Sequence, residues 1–277
     1  MAYDTIIYDK PEEGVARITL NRPEARNAMS VHMIEELKDA AKDAAEDESI
    51  GVLVYRGNGP SFSAGRDFKD GASMKQASGR SKTVLGNDGL GPVTWHHPKC
   101  TIAQVQGYAL GGGDLLASGC DITIASDEAK FGFPEARWGA PAGRNGGWFW
   151  NWLIGPKKTK EYMLSGRNFT AEEAYHMGLI NQVVPLAKLE ETVMSLAHDI
   201  AQMHKTYPGV IQTNKALINN QHPELDRFFD GRLWANWMFA TEYGAQSGGR
   251  SKFDELVAEK GVRGGIQSMH KGFSNDR

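Results

Sequence analysis

Three consecutive glycines, Gly111 to Gly113, stand between an apolar, strand-forming run at residues 101–106 and a helix-forming run that begins at Asp114. Backbone without side chains can bring bare N–H groups against a ligand oxygen, and the start of a helix favours negative charge there. A second glycine-bearing turn, residues 61–69, follows the apolar run at 52–55 and offers another N–H. Two donors from separate turns can hold one carbonyl oxygen as it gains charge, which is how an oxyanion hole is built. The same glycines would also suit a phosphate cradle or a close helix–strand contact, but no dinucleotide-binding or P-loop pattern is present. Glu135 closes the run Phe131, Gly132, Phe133, Pro134, just after a strand signal. A glutamate in an apolar cleft has a raised pKa and can shuttle protons near neutrality. A surface carboxylate is the plainer account of Glu135, as a helix-start carboxylate facing the dipole is of Asp114.

Other chemistries find little support. His96 and His97 are adjacent and would point to opposite faces of a strand, and no H-x-x-x-H pair exists, so no metal centre is expected. Cys100 and Cys120 lack C-x-x-C spacing and read as small core hydrophobes in a reducing compartment. The nucleophile-elbow pattern G-x-S-x-G is absent. A net charge of −3 and a pI near 6.3 supply no general basic field for nucleic acid. No apolar run approaches the roughly 18 residues that span a bilayer, and the N-terminus lacks a leader pattern. A cytoplasmic, soluble protein without membrane or nucleic-acid partners is therefore expected. The aromatics of residues 148–152 and Trp234, Trp237 and Phe239 read as core or as stacking surface for a bulky cyclic group.

The elements that must position these residues follow from hydrophobic period. Residues 15–20 and 51–55 are β-rich, and Ile34, Leu37, Ala41 and Ala44 between them recur at helical spacing. Strands are expected at 101–105, 122–125, 130–133 and 180–184, with helices between several of them, which makes the class α/β. Thr170 to Glu173 form a capping box, and Gly178 can end the helix it starts. From Leu186 onward the signals are almost all helical: 189–203, 210–220, 224–243 and 253–259. Residues 1–205 are read as a core and 206–277 as a helical region, with Pro208 near the boundary. Residues 71–91, dominated by Gly, Ser, Lys and Asn, read as a loop or a lid over substrate.

Taken in order, residues 20–28 (LNRPEARNA), 62–67 (FSAGRD), 106–113 (QGYALGGG), Cys120 with Asp121, and 131–135 (FGFPE) resemble the crotonase (enoyl-CoA hydratase/isomerase) superfamily. The likeness runs from about Ile6 to Pro185 and more weakly beyond. It implies a spiral of ββα turns with a C-terminal helical subdomain, assembled as a homotrimer or dimer of trimers. It also implies an acyl-CoA substrate, with coenzyme A entering as part of that substrate and no permanently bound cofactor. By resemblance, the N–H groups of Arg66 and Gly112 form the oxyanion hole and Glu135 is the acid–base residue. The backbone around Ala64 would face adenine, and Arg26 and Lys69 would meet CoA phosphates.

The departures narrow the reaction. Ordinary enoyl-CoA hydratases carry a first glutamate two residues after the glycine triplet, where this chain has Leu115. Members keeping only the second glutamate resemble hydroxycinnamoyl-CoA hydratase-lyases or Δ3-Δ2-enoyl-CoA isomerases. Asp114 is one residue early, which turns it about 100° away on a helix, so it is at most a helper. Arg144 and Asn145 replace small residues usual in the next turn and would bind a polar substituent or lie at the surface. The expected activity is a hydratase or hydratase-lyase for a bulky, cyclic or aromatic enoyl-CoA. The alternatives are an isomerase using Glu135 alone, a ring-opening hydrolase of a cyclic β-keto thioester, and a non-catalytic acyl-CoA-binding scaffold.

Overall fold

The computed structural model describes residues 3–70, 90, 93–139, 146–221 and 249–270. The expectations for the 71–91 loop (Leu90 apart), for Arg144 and Asn145, and for the helix over 224–243 with Trp234, Trp237 and Phe239 lie outside the described residues.

The chain opens with an antiparallel pair, β1 (Ile6–Glu12) and β2 (Val15–Leu20). Helix α1 (Val31–Glu46) leads to β3 (Val52–Gly57), parallel to β2. The Ser30 hydroxyl caps α1 by accepting from the Met33 N–H at 3.1 Å. Met33, Leu37, Ala40, Ala41 and Ala44 form its buried stripe. Strands β4 (Cys100–Val105), β6 (Ile122–Ser126) and β9 (Gln182–Val184) continue the parallel sheet in the order β1-β2-β3-β4-β6-β9.

β3 shows why the inner strands read as unbroken apolar runs. Val52 and Val54 face one core cluster, Leu53 and Tyr55 the other, so both faces are covered. Helix α5 (Leu186–Thr206) covers the first face with Leu189, Val193, Ala197 and Ala201, one residue every turn. It runs through position 205/206, where the sequence suggested a division. Beyond it lie α6 (Val210–Asn219) and α7 (Gly249–His270), the latter kinked at Gly261.

A smaller sheet, β5 (Tyr108–Leu110), β7 (Lys130–Gly132) and β8 (Phe169–Thr170), begins where β4 ends. Gly107 makes the bend at φ +57°, and a Cβ there would lie 2.0 Å from the Pro60 carbonyl oxygen. β5 and β7 run parallel with Leu110 opposite Gly132, so both strands stop at the same level. Gly111, directly after β5, and the turn carrying Glu135, directly after β7, therefore lie side by side. Helix α2 (Gly112–Ser118) succeeds β5, and α3 (Gly146–Ser165), kinked at Gly155, packs near the Pro134–Trp138 turn. Helix α4 (Ala171–His176) starts at the predicted capping box, with both of its hydrogen bonds present.

The structure departs from the sequence reading in three places. The strand expected over 180–184 is confined to Gln182–Val184, because Leu179 and Ile180 turn into the core after Gly178 at φ +80°. β1, β5 and β8 have no counterpart in the sequence reading: β1 is an edge strand whose charged residues dilute the alternation, and β5 and β8 are only three and two residues long. His96 and His97 sit in and just after a turn, not in a strand, and His97 Nε2 lies 3.0 Å from the Ala41 carbonyl oxygen in the core.

Candidate active site

The turn at residues 61–66 is stitched to β5 almost as an extra strand. Phe62 N–H donates to Gln106 O at 2.8 Å, Ser63 N–H to Tyr108 O at 2.8 Å, and Leu110 N–H to Ser63 O at 3.0 Å. This seam slides Gly65 and Arg66 against the glycine triplet. Gly65 has φ +86°, and a Cβ on it would meet Leu110 O at 2.5 Å and Gly112 N at 3.2 Å. Conversely, Arg66 N and Gly65 Cα each lie 4.0 Å from where a Gly112 Cβ would stand. The Arg66 and Gly112 amides are thus neighbours contributed by two separate turns. Gly112 is the first residue of α2, so its N–H has no acceptor within that helix.

Gly111, at φ 53° and ψ −118°, adopts a conformation open only to glycine and leaves room for an acid. A Cβ at Gly111 would stand 3.0 Å from Glu135 Oε1. Glu135 itself rides in the short 3₁₀ turn Pro134–Trp138 immediately beyond β7. The residue is partly exposed, yet its Oε2 is sealed and has no hydrogen-bond partner. Burial pushes its carboxyl up to about 7, against the opposing pull of its own N–H and the Arg66 guanidinium. A carboxyl in that range can both take and return a proton at neutral pH.

Asp114 is brought close but aimed elsewhere. It is 0% exposed; Oδ1 accepts from Trp150 Nε1 and Oδ2 from the Gly132 N–H, each at 3.0 Å. Burial raises its carboxyl well above the usual range despite those donors. Leu115, where a first glutamate would stand, is a buried core residue.

Of the expected CoA contacts, Arg26 and Ala64 are joined directly, Ala64 N–H donating to Arg26 O at 2.9 Å. The Arg26 guanidinium lies 5.5 Å from the Tyr108 ring centroid, a cation–π contact. Lys69 is exposed, and its N–H donates to Asp67 Oδ1 at 2.9 Å. Among the described residues one grouping suits a metal, Asp4, His32 and Glu36 at the start of the chain, and Glu36 already accepts from the Asp4 and Thr5 N–H groups and from the Thr5 hydroxyl.

Sequence reasoning missed the residues that brace the site. Asn27, fully buried at φ 53°, donates to Asn58 O and Ser61 O, while its side-chain oxygen accepts from Arg22 N–H. Arg22 in turn pairs with Asp67 at 2.7 Å. The only signal was membership of the 20–28 motif, which says nothing about partners. Trp150, expected as core or acyl surface, is core: it is 0% exposed and packs on Phe133 and Phe169. Phe68 and Trp138 meet edge to face at 5.2 Å, linking the turn that carries Arg66 to the one that carries Glu135.

Two converging turns, a sealed carboxyl beside them and a parallel sheet that delivers both define the crotonase class of CoA-thioester enzymes. Residues 10–231 match the model of the enoyl-CoA hydratase/isomerase family. A probable enoyl-CoA hydratase of Mycobacterium tuberculosis is 35% identical over 93% of this chain and 98% of its own length. A hydroxycinnamoyl-CoA hydratase-lyase of Pseudomonas fluorescens is 30% identical over 94% and 95%. The crystal structure of an enoyl-CoA hydratase/isomerase from Xanthobacter autotrophicus Py2 superposes with a TM-score of 0.86 at 31% identity, covering 99% of this chain and 100% of that one. The chain belongs to the enoyl-CoA hydratase/isomerase family, and its fold is the crotonase fold. No helix among the described residues is long and apolar enough to cross a membrane.

Proposed function

We propose that this protein is a hydratase or hydratase-lyase acting on a bulky, cyclic or aromatic enoyl-CoA thioester. The observation that carries the reading is the Glu135 carboxyl, sealed and unpartnered at Oε2, beside the neighbouring Arg66 and Gly112 amides. The thioester oxygen would sit between those amides, which stabilise the enolate only as charge develops. For hydration, Glu135 takes a proton from water as the oxygen bonds to Cβ, and the electron pair of the double bond moves onto the thioester as enolate. Glu135 then returns the proton to Cα. For cleavage, Glu135 takes the proton of the β-hydroxyl, the Cα–Cβ bond breaks to release an aldehyde, and the resulting enolate is protonated at Cα by the same residue. One carboxyl thus serves both steps with no permanently bound cofactor. Arg26, Ala64 and Lys69 would hold the CoA moiety.

The edge-to-face Phe68 and Trp138 pair joins the turns that carry Arg66 and Glu135, and aromatic surface at that junction would suit a flat acyl group. The hydratase-lyase resemblance supports the same substrate class. A second reading, Δ3-Δ2-enoyl-CoA isomerase, is favoured by the fact that Asp114 is fully engaged, leaving Glu135 to move a proton between two carbons unaided. Incubation with 4-hydroxycinnamoyl-CoA, crotonyl-CoA and a 3-enoyl-CoA, read by mass spectrometry and by ultraviolet absorbance for the mass-neutral isomerisation, separates them: gain of water or release of an aldehyde supports the first, a shifted double bond the second. Glu135→Gln is expected to abolish either; full activity in that variant removes Glu135 from the mechanism.

A further inference from the structure

We propose that Asp114 is a positioning residue: its buried carboxyl ties the end of β7 and helix α3 to helix α2, and so holds Glu135 against Gly111. The inference rests on the proton-transfer role given to Glu135 above. Asp114 lies two residues after Gly112 on α2, yet both of its oxygens reach across to other elements. Oδ2 accepts from Gly132 N–H, three residues before Glu135, and Oδ1 accepts from the indole N–H of Trp150 on α3, each at 3.0 Å. The Gly132 carbonyl, on the far side of the same residue, accepts from the Gly111 N–H at 2.8 Å. Gly132 is therefore gripped from the α2 side by two bonds, one from the side chain of Asp114 and one to the main chain of Gly111. Phe133, the next residue, packs on Trp150 with ring centroids 4.6 Å apart. The segment from Gly132 to Glu135 is thus bounded by groups that Asp114 joins.

A fully buried carboxyl is costly unless its oxygens are satisfied, and here each oxygen receives an N–H from a different element. An amide cannot replace it evenly: an asparagine at this position would accept at its one oxygen and turn an NH₂ against the other donor. A carboxyl acting on water would need an oxygen open to the substrate, and Asp114 is 0% exposed with each oxygen turned to a donor on another element. Asp114 therefore acts through Glu135 and not on the substrate.

The test compares D114N, W150F and E135Q with the parent enzyme on 4-hydroxycinnamoyl-CoA and crotonyl-CoA, with crystal structures of the first two. D114N is expected to lower kcat on the order of 10²-fold while KM stays within about threefold, since a misplaced group loses rate and not binding. Its crystal structure is expected to show the Glu135 carboxyl displaced from Gly111. W150F, which removes one donor only, is expected to lose about tenfold in kcat with the same unchanged KM, and it decides the matter if D114N does not fold. A folded D114N with parental kcat, a loss carried by KM, or an unmoved Glu135 carboxyl overturns the proposal. If neither thioester is turned over, the position of Glu135 in the two crystal structures decides. An active E135Q overturns the role of Glu135 itself, a separate outcome, because a dead E135Q beside a parental D114N refutes only the role of Asp114.

Discussion

Glu135 combines the placement proposed for proton transfer with a thermodynamic cost. Its carboxyl sits at about 7, above the ordinary 4.5, because burial disfavours the charged form. It binds its proton more tightly in the folded state, so its contribution to stability is present below about 4.5 and lost as pH rises through about 7. Replacing Glu135 with Gln is therefore expected to raise the thermal midpoint at pH 8 and leave it nearly unchanged at pH 4. Because the residue keeps some solvent contact, the gain at pH 8 should not exceed about 2 kcal/mol; differential scanning calorimetry at the two pH values reads it. For hydration, where the carboxylate must accept a proton, kcat/KM is expected to climb with pH to a plateau with an apparent pKa near 7. Arg26 belongs to the same scale. Arg26→Ala should raise KM for CoA thioesters several-fold, on the order of 1 kcal/mol, while kcat moves little, since the phosphate contact proposed for it, far from the reacting carbons, would contribute equally to ground and transition states.

Among the elements, the seam between the 61–66 turn and β5 matters most, because it sets the spacing of the Arg66 and Gly112 amides. Asn27 fastens that turn from below through Asn58 O and Ser61 O, and its own carbonyl accepts from the Ser63 hydroxyl at 2.8 Å. Asn27→Ala leaves two carbonyls short of a donor, a loss of about 2–4 kcal/mol. A urea titration is expected to show that loss, and the surviving folded enzyme should lose kcat, because the Arg66 amide drifts from its neighbour. The Leu110 and Gly132 register is the other element-scale device: slipping β7 by one residue would turn Phe131 out of the core and carry Glu135 away from Gly111.

At the scale of the whole molecule, the surface of the C-terminal half asks for partners. Val210, Leu217 and Ile218 on α6 are exposed, as are Leu164 and Tyr207, and α6 buries no residue within one chain. Apolar side chains gathered on one element suit burial against another copy. Light scattering coupled to size exclusion is expected to return three or six times the 30.4 kDa chain mass. Leu217→Lys with Ile218→Lys should shift the mass toward a single chain; a parental mass profile in that variant argues against this face.

The sequence alone determined the α/β class, the Thr170 capping box, most sheet strands and the family, because period, capping chemistry and motif spacing are local properties of the chain. The Thr170 box and the apolar run of β3 appear in the structure where their residues demanded them. The glycine triplet and Glu135 were legible as residue types suited to holding a carbonyl oxygen and moving a proton, yet 24 positions of sequence spacing between Gly111 and Glu135 carry no distance. Tertiary structure decided that, through the parallel register that ends β5 and β7 together. It likewise decided that Asp114, readable as a helper acid, instead grips Gly132 and Trp150. Where a side chain on a helix points is set by what packs against it, and those partners, 18 and 36 residues away, leave no local trace.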